Sequence, residues 1–191
     1  MTEAAAPYVR LATVDDAAAL GAIYRPFVTH TAVSFEEEPP SDAEMRARIA
    51  AAGDRYPWLA CERDGGVAGY AYAGPHRSRA AYRWSVDVSV YVAEGARGSG
   101  IGTALYRALV GVLTAQGYAR AFAGIALPNA ASVALHRACG FTDVGVYRRS
   151  GYKLGRWIDT LWVQRALYGA TDAPAEPRGL EALGTNGDVS L

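Results

Sequence analysis

The stretch Val90-Tyr91-Val92-Ala93-Glu94-Gly95-Ala96-Arg97-Gly98-Ser99-Gly100-Ile101-Gly102-Thr103-Ala104-Leu105 carries three local signals in succession. β-branched and aromatic residues run up to Val92. A glycine-rich turn with one arginine follows. From Ile101 the apolar residues recur at helical spacing: Ile101, Leu105, Ala108, Leu109, Val112 and Leu113. The order is strand, glycine turn, helix. Glycines 98, 100 and 102 leave backbone N–H groups unshielded at a helix N-terminus. The partial positive charge there makes an anion site, with a phosphate as the expected occupant. The spelling G-x-G-x-G differs from the G-x-G-x-x-G of dinucleotide folds, and residues 116–120 hold no acid for a ribose. A nucleoside-triphosphate loop would end in Gly-Lys-Ser/Thr, and no lysine is present here.

Upstream, residues 82–92 read as one strand. Tyr82, Trp84, Val86, Val88, Val90 and Val92 fall on one face, and Arg83, Ser85, Asp87, Ser89 and Tyr91 on the other. The second face is polar and the strand feeds the glycine turn, so Asp87 is expected to line a site rather than bulk solvent. Before it, residues 8–12 read as a strand and Thr13 as a helix N-cap. Pro26 is expected to kink or divide the first helix. Ser41-Asp42-Ala43-Glu44 is a capping box for a helix ending near Gly53. Residues 58–62 and 67–73 form a hairpin around Asp64-Gly65. After the glycine-loop helix come a strand over 120–126, a short helix stopped by Gly140, and closing strands over 141–148 and 157–165. From residue 169 the composition shifts to Ala, Pro, Glu and Gly. The expectation is a single domain over 1–168 and a disordered or loosely docked tail over 169–191.

The chain has 191 residues, with 19 Lys+Arg against 19 Asp+Glu. That balance points to neither nucleic acid nor an anionic membrane. Two cysteines, Cys61 and Cys139, and three histidines make no metal-ligand spacing, so no metal is expected. No positively charged start precedes an apolar run, and no stretch approaches membrane-spanning length. A cytoplasmic protein that binds neither membrane nor nucleic acid is the default.

The spelling V-Y-V followed by R-G-x-G-I-G resembles the acyl-CoA pyrophosphate loop of the GNAT superfamily of N-acetyltransferases. The segment 127–141 is similar to the superfamily pattern N-x-x-(S/A)-x-x-(L/F)-(H/Y)-x-x-x-G-F. Gly151-Tyr152-Lys153-Leu154-Gly155-Arg156-Trp157-Ile158-Asp159 resembles the G-Y-K-x-G-x-W-x-D signature of the phosphinothricin N-acetyltransferase subfamily, as do residues 71–75 and 80–87. The resemblance implies an α/β (α+β) acyl-CoA N-acyltransferase fold, with a splayed, mixed, mostly antiparallel sheet flanked by helices. It implies acetyl-CoA as co-substrate. Its pantetheine would pair with Val90, Tyr91 and Val92, and Asn129 would bond to it. Its pyrophosphate would sit on Gly98, Ser99, Gly100, Ile101, Gly102 and Thr103, beside Arg97.

The subfamily's catalytic carboxylate falls on Asp87, where relatives carry glutamate; the shorter side chain suggests action through a water. His136 holds the position of a tyrosine that protonates the leaving thiolate in many members, and is either that acid or a packed residue. His30 and His76 are expected at the surface. For the acceptor, the resemblance implies a small phosphinothricin-like amino acid (phosphinothricin, methionine sulfoximine or methionine sulfone). Phe35 would be an apolar wall and Ala80, Ala81 and Tyr82 backbone contacts. Arg77, Arg79, Arg83, Tyr152 and Lys153 are further candidates, in a homodimer. A protein-amine acetyltransferase and a non-catalytic acyl-CoA sensor are the alternatives.

Overall fold

The computed structural model describes residues 7–168 and 173–184. Seven strands form one sheet: β1 (Tyr8–Leu11), β2 (Trp58–Arg63), β3 (Gly66–Pro75), β4 (Ser85–Val92), β5 (Arg120–Ala126), β6 (Thr142–Lys153) and β7 (Arg156–Ala166). Their order is β1-β2-β3-β4-β5-β7-β6. Every neighbouring pair is antiparallel except β4 and β5, which run parallel. That parallel pair is short. Ser85, Val86 and Asp87 register with Arg120, Ala121 and Phe122, and pairing stops there. Beyond Asp87 the two strands part, and the sheet opens in its middle.

Four helices cover the sheet: α1 (Ala17–His30), α2 (Asp42–Ala52), α3 (Ile101–Gln116) and α4 (Ala130–Ala138). α3 packs on the face that carries Leu59, Ala71, Ala73, Val86, Val88, Ala121 and Val163. Leu105, Leu109 and Leu113 of α3 are fully buried there, which is the apolar stripe read from the sequence. α1 and α2 cover the other face through Leu20, Ile23, Tyr24, Met45 and Ile49, against Trp58 and Tyr70. This face is therefore packed rather than solvated. Tyr91, on the side of β4 that reads as polar, meets the rings of Tyr24, Phe27 and Tyr70 at 4.8, 5.1 and 5.4 Å.

The local signals resolve as follows. Ser41 accepts from the Glu44 N–H, and the Glu44 carboxylate accepts from the Ser41 N–H, closing the capping box of α2. Asp64 and Gly65 both take positive φ, as a two-residue hairpin turn requires. α1 runs undivided through Pro26, its face held by burial against the sheet. Residues 82–84 do not join β4. Ala80–Tyr82 forms a 3-10 turn, and the strand starts at Ser85. β6 is longer than the expected 141–148, because an irregularity between Tyr147 and Gly151 lets its pairing resume.

Of the expected tail, residues 173–184 carry contacts to the domain. The Arg178 N–H donates to the Gln116 carbonyl at 2.7 Å, and the Leu180 N–H donates to the Asp54 carbonyl at 2.8 Å. Arg83 pairs with Glu176 at 2.6 Å. The remaining tail residues lie outside the described residues.

Candidate active site

Two cavities meet at the opening between β4 and β5. The first, about 610 Å³, is lined by Val90 and Val92, the glycine turn, Thr103, Asn129, Leu135 and Phe27. The second, about 540 Å³, is lined by Tyr24, Ser34, Phe35, Glu36, Asp87, Ser89, Tyr91, Gly124, Tyr147 and Trp162 among others. Val33 belongs to both linings. β4 runs along the junction, with Val90 and Val92 facing one cavity and Asp87, Ser89 and Tyr91 the other.

The first cavity ends on the α3 N-terminus. Gly100 is the N-cap with φ of 86°, a left-handed conformation that a side chain disfavours. The first intrahelical bond is donated by the Ala104 N–H to the Gly100 carbonyl, so the amides of Ile101, Gly102 and Thr103 have no partner within the helix. Arg97 lines the same cavity, its guanidinium 5.0 Å from the Phe27 ring centroid. Asn129 caps α4 by accepting from the Ser132 N–H at 3.1 Å, and it also lines the cavity. An open β edge leading to unpaired helix N-terminal amides, with a cation beside them, fits an extended ligand that carries a phosphate group.

Asp87, with Glu36, is one of two carboxylates that line the second cavity. Burial raises its carboxyl above the usual 3.8, opposed by a hydrogen bond to His76. The His76 Nδ1 lies 2.6 Å from Asp87 Oδ1. The expectation that His76 is a surface residue is corrected here. Its side chain is 11% exposed, and its ring stacks on Phe122 at 4.2 Å. Sequence reasoning missed it, although the β3–β4 hairpin was the available signal: the pairing of Gly74 with Asp87 carries His76 to the same sheet face.

The family model described as the acetyltransferase (GNAT) domain matches residues 9–162. The chain belongs to the GNAT acetyltransferase family. It is 45% identical over 161 residues to a phosphinothricin N-acetyltransferase of Alcaligenes faecalis, covering 83% of this chain and 82% of that one. It is 38% identical to an L-methionine sulfoximine/L-methionine sulfone acetyltransferase of Pseudomonas aeruginosa, covering 87% and 98%. A crystal structure of a phosphinothricin acetyltransferase from Sinorhizobium meliloti, in complex with AcCoA, superposes with a TM-score of 0.85 at 42% identity, covering 89% and 94%.

In this GNAT chain His136 is in neither cavity lining, although its partner Ser132 lines the first. It is buried, its Nδ1 is 2.7 Å from the Ser132 carbonyl, and its Nε2 is 2.7 Å from the Tyr106 hydroxyl. The geometry fits a neutral ring that donates from Nδ1 and accepts at Nε2. Burial lowers its pKa below 6.5. The unfolded chain then binds this proton more readily than the native one, so His136 costs stability as pH falls below about 6.5. His136→Gln, which can still accept from Tyr106, should flatten the fall in melting temperature between pH 6.5 and 5. Calorimetric scans over that range measure it.

Within the 151–159 segment, Gly151 and Lys153 bear on the loop that walls the second cavity. A Cβ on Gly151 would lie 2.5 Å from the Phe35 ring, so only glycine admits that ring. Lys153 is buried, and its ammonium donates to the carbonyls of Val28, Ser34 and Glu36 at 2.7, 2.7 and 2.6 Å. It thereby ties the β6–β7 hairpin to the loop that carries Phe35. Asp159 accepts from the Arg149 N–H and from the Arg148 guanidinium, holding the β6 irregularity. No local sequence signal marks Arg148 or Arg149 for this contact. Ala80, Ala81 and Tyr82 are exposed and stand outside the lining; Tyr82 touches the site only through the edge of His76, at 5.7 Å. Arg77 lies over Trp162, and Arg83 is committed to Glu176. Among the described residues no group of three or more His, Cys, Asp or Glu could hold a metal.

Proposed function

We propose that this chain transfers the acetyl group of acetyl-CoA directly to the α-amino group of phosphinothricin-like amino acids: phosphinothricin, methionine sulfoximine or methionine sulfone. The observation that carries it is the position of Asp87. A half-buried carboxylate lines the acceptor cavity at the last paired residue before the sheet opens. The named relatives support the substrate class.

Acetyl-CoA supplies an activated thioester. The β4 edge past Asp87 would take its pantetheine, and Gly98 to Thr103 with Arg97 its pyrophosphate. Asn129 would supply a further polar contact. Asp87 accepts the proton of the acceptor ammonium, directly or through one water, and so frees the amine for attack. Backbone N–H groups on the β5 side of β4 offer donors to the developing oxyanion. A thiol titrates at about 8.5, so the sulfur departs as thiolate when the C–S bond breaks and takes up the second proton that the attacking nitrogen loses, with no separate strong acid. We therefore assign His136 to packing. Phe35 walls the cavity, with Tyr24, Glu36 and Tyr147 around the acceptor. The two cysteines are free and buried, which suits a reducing cytoplasm.

The working unit is a homodimer in this reading. β6 is the outer strand, and Val144, Tyr147, Tyr152, Leu154 and Trp157 are each more than half exposed along its hairpin. Trp157→Glu should shift sedimentation at micromolar concentration from dimer to monomer. A parent that sediments as a monomer would remove the dimer from the reading.

The function is tested by following thiol release from acetyl-CoA with the three named acceptors, ordinary amino acids and a basic peptide in parallel. Saturable release with the first three supports the proposal. Release with the peptide alone assigns a protein amine instead. Acetyl-CoA binding with no release from any acceptor favours a sensor.

A further inference from the structure

We propose that His76 is a positioning residue for the transfer: from behind the acceptor cavity its imidazole Nδ1 holds one oxygen of Asp87, so that the other oxygen faces the acceptor amine. This rests on the reading of Asp87 as the proton acceptor. His76 follows the last residue of β3. Continuing the β3–β4 register places it opposite Ser85, diagonal to Asp87 on one sheet face, and its N–H donates to the Ser85 carbonyl at 3.4 Å. The Nδ1–Oδ1 distance of 2.6 Å is that of a charge-assisted bond.

The ring itself is held on three sides. It stacks on Phe122 at 4.2 Å and 15°, and meets the edges of Tyr82 at 5.7 Å and Trp162 at 6.3 Å. Phe122 is the residue of β5 paired with Asp87, the last pair before the strands part. The stack thus fixes the imidazole against the hinge of the opening, and the imidazole fixes the carboxylate. A carboxylate at the mouth of a split sheet has cavity rather than strand beyond it. The Asp87 carboxylate there gains a defined direction from this partner.

The charged and titratable neighbours are few. Tyr72 and His76 reach Asp87 from β3 and its end, and Arg77 from the following loop. β5 contributes the uncharged Phe122. Tyr24 and Glu36 from the α1 side, and Tyr147 from β6, line the same cavity. A hydrogen bond to the ionised form favours it, so losing the His76 bond should move the acid limb of kcat/KM to higher pH.

The test compares His76→Phe, which keeps the stack and removes the donor, with His76→Asn, which keeps a donor near Nδ1. His76→Phe should lower kcat about 10- to 100-fold, part of the roughly 10²–10⁴-fold owed to a positioned base. Its acid limb should rise while the KM for acetyl-CoA holds. His76→Asn should recover most of kcat and the original limb. A purely structural histidine predicts instead an unmoved limb and no rescue by asparagine, and that result overturns the inference. If His76→Phe does not fold, the parent protein still decides by imidazole ¹⁵N NMR. The His76 ring should carry its tautomeric proton on Nδ1 in the parent and lose that preference on Asp87→Ala; an Nε2–H tautomer in the parent overturns the proposal. An Asp87→Asn variant as active as the parent would remove the reading of Asp87 itself. A dead Asp87→Asn beside an unimpaired His76→Phe removes the role of His76 alone.

Discussion

Asp87→Asn should lower kcat by about 10²–10⁴-fold, the range a positioned general base contributes, while the KM for acetyl-CoA stays within about twofold. The separation follows from the two linings. Asp87 borders the acceptor cavity and is absent from the cavity that ends on the α3 N-terminus. Asparagine keeps an oxygen for the His76 bond, so the change removes basicity with little change of shape. Stability should move the other way. Burial holds the native Asp87 carboxyl above its unfolded value of 3.8. Between the two values the native state binds more protons than the unfolded one, so this residue's contribution falls as pH rises through that window. At pH 7 the ionised carboxylate therefore lowers stability, and Asp87→Asn should melt no lower than the parent. The advantage should vanish at a pH below 3.8. Steady-state kinetics with phosphinothricin and paired melting scans at the two pH values check both halves. A variant that loses activity and melts lower at pH 7 would point to a structural aspartate instead. Asp87→Glu restores the carboxylate at greater reach and should retain far more activity than Asp87→Asn.

What the sequence reveals here is what local chemistry decides. The strand, glycine turn and α3 are legible because β-branching, positive-φ glycines and 3.6-residue spacing act within a few residues. The capping box at Ser41 and the turn at Asp64-Gly65 are legible for the same reason. The place of Asp87 at a cavity is legible because it sits on a strand that runs straight into the glycine turn. His76 is not, because its role exists only through the register of β3 on β4 and the stack on Phe122. The face of β4 that holds Tyr91 reads as polar, yet the rings of α1 cover it, since a tyrosine ring packs as a hydrophobe while its hydroxyl finds a partner. The strand expected from residue 82 begins at Ser85 because a 3-10 turn takes up Ala80–Tyr82. The 151–159 signature can be spelled but not explained, since the partners of Gly151 and Lys153 lie more than a hundred residues away in sequence.

Lys153 shows that distance most sharply and carries the second large effect. Lys153→Met should destabilise the fold by about 3 kcal/mol and raise the acceptor KM about tenfold, with the KM for acetyl-CoA little changed. The ammonium donates to three carbonyls, and each buried acceptor left without a partner costs roughly 1–3 kcal/mol. Part of that is offset, because methionine has no charge to desolvate; burial already pushes the Lys153 ammonium below its usual value. The carbonyls belong to Val28 at the end of α1 and to Ser34 and Glu36 in the loop beside Phe35. That loop has other ties. Tyr24 donates to Glu36, which also takes two bonds from Arg48, so the Glu36 carboxyl lies below its ordinary range. These ties keep the chain folded around residue 36, but they do not reach the β6–β7 hairpin. Only Lys153 among the described hydrogen bonds joins the hairpin to the loop, and Phe35 rests against Gly151 across that junction. Without it the wall formed by Phe35 should loosen while the glycine turn and β4 keep their places. Urea unfolding measures the first effect, and separate titrations of the two substrates measure the second. A loss of stability with equal rises in both KM values would mean that Lys153 supports the whole fold rather than this wall.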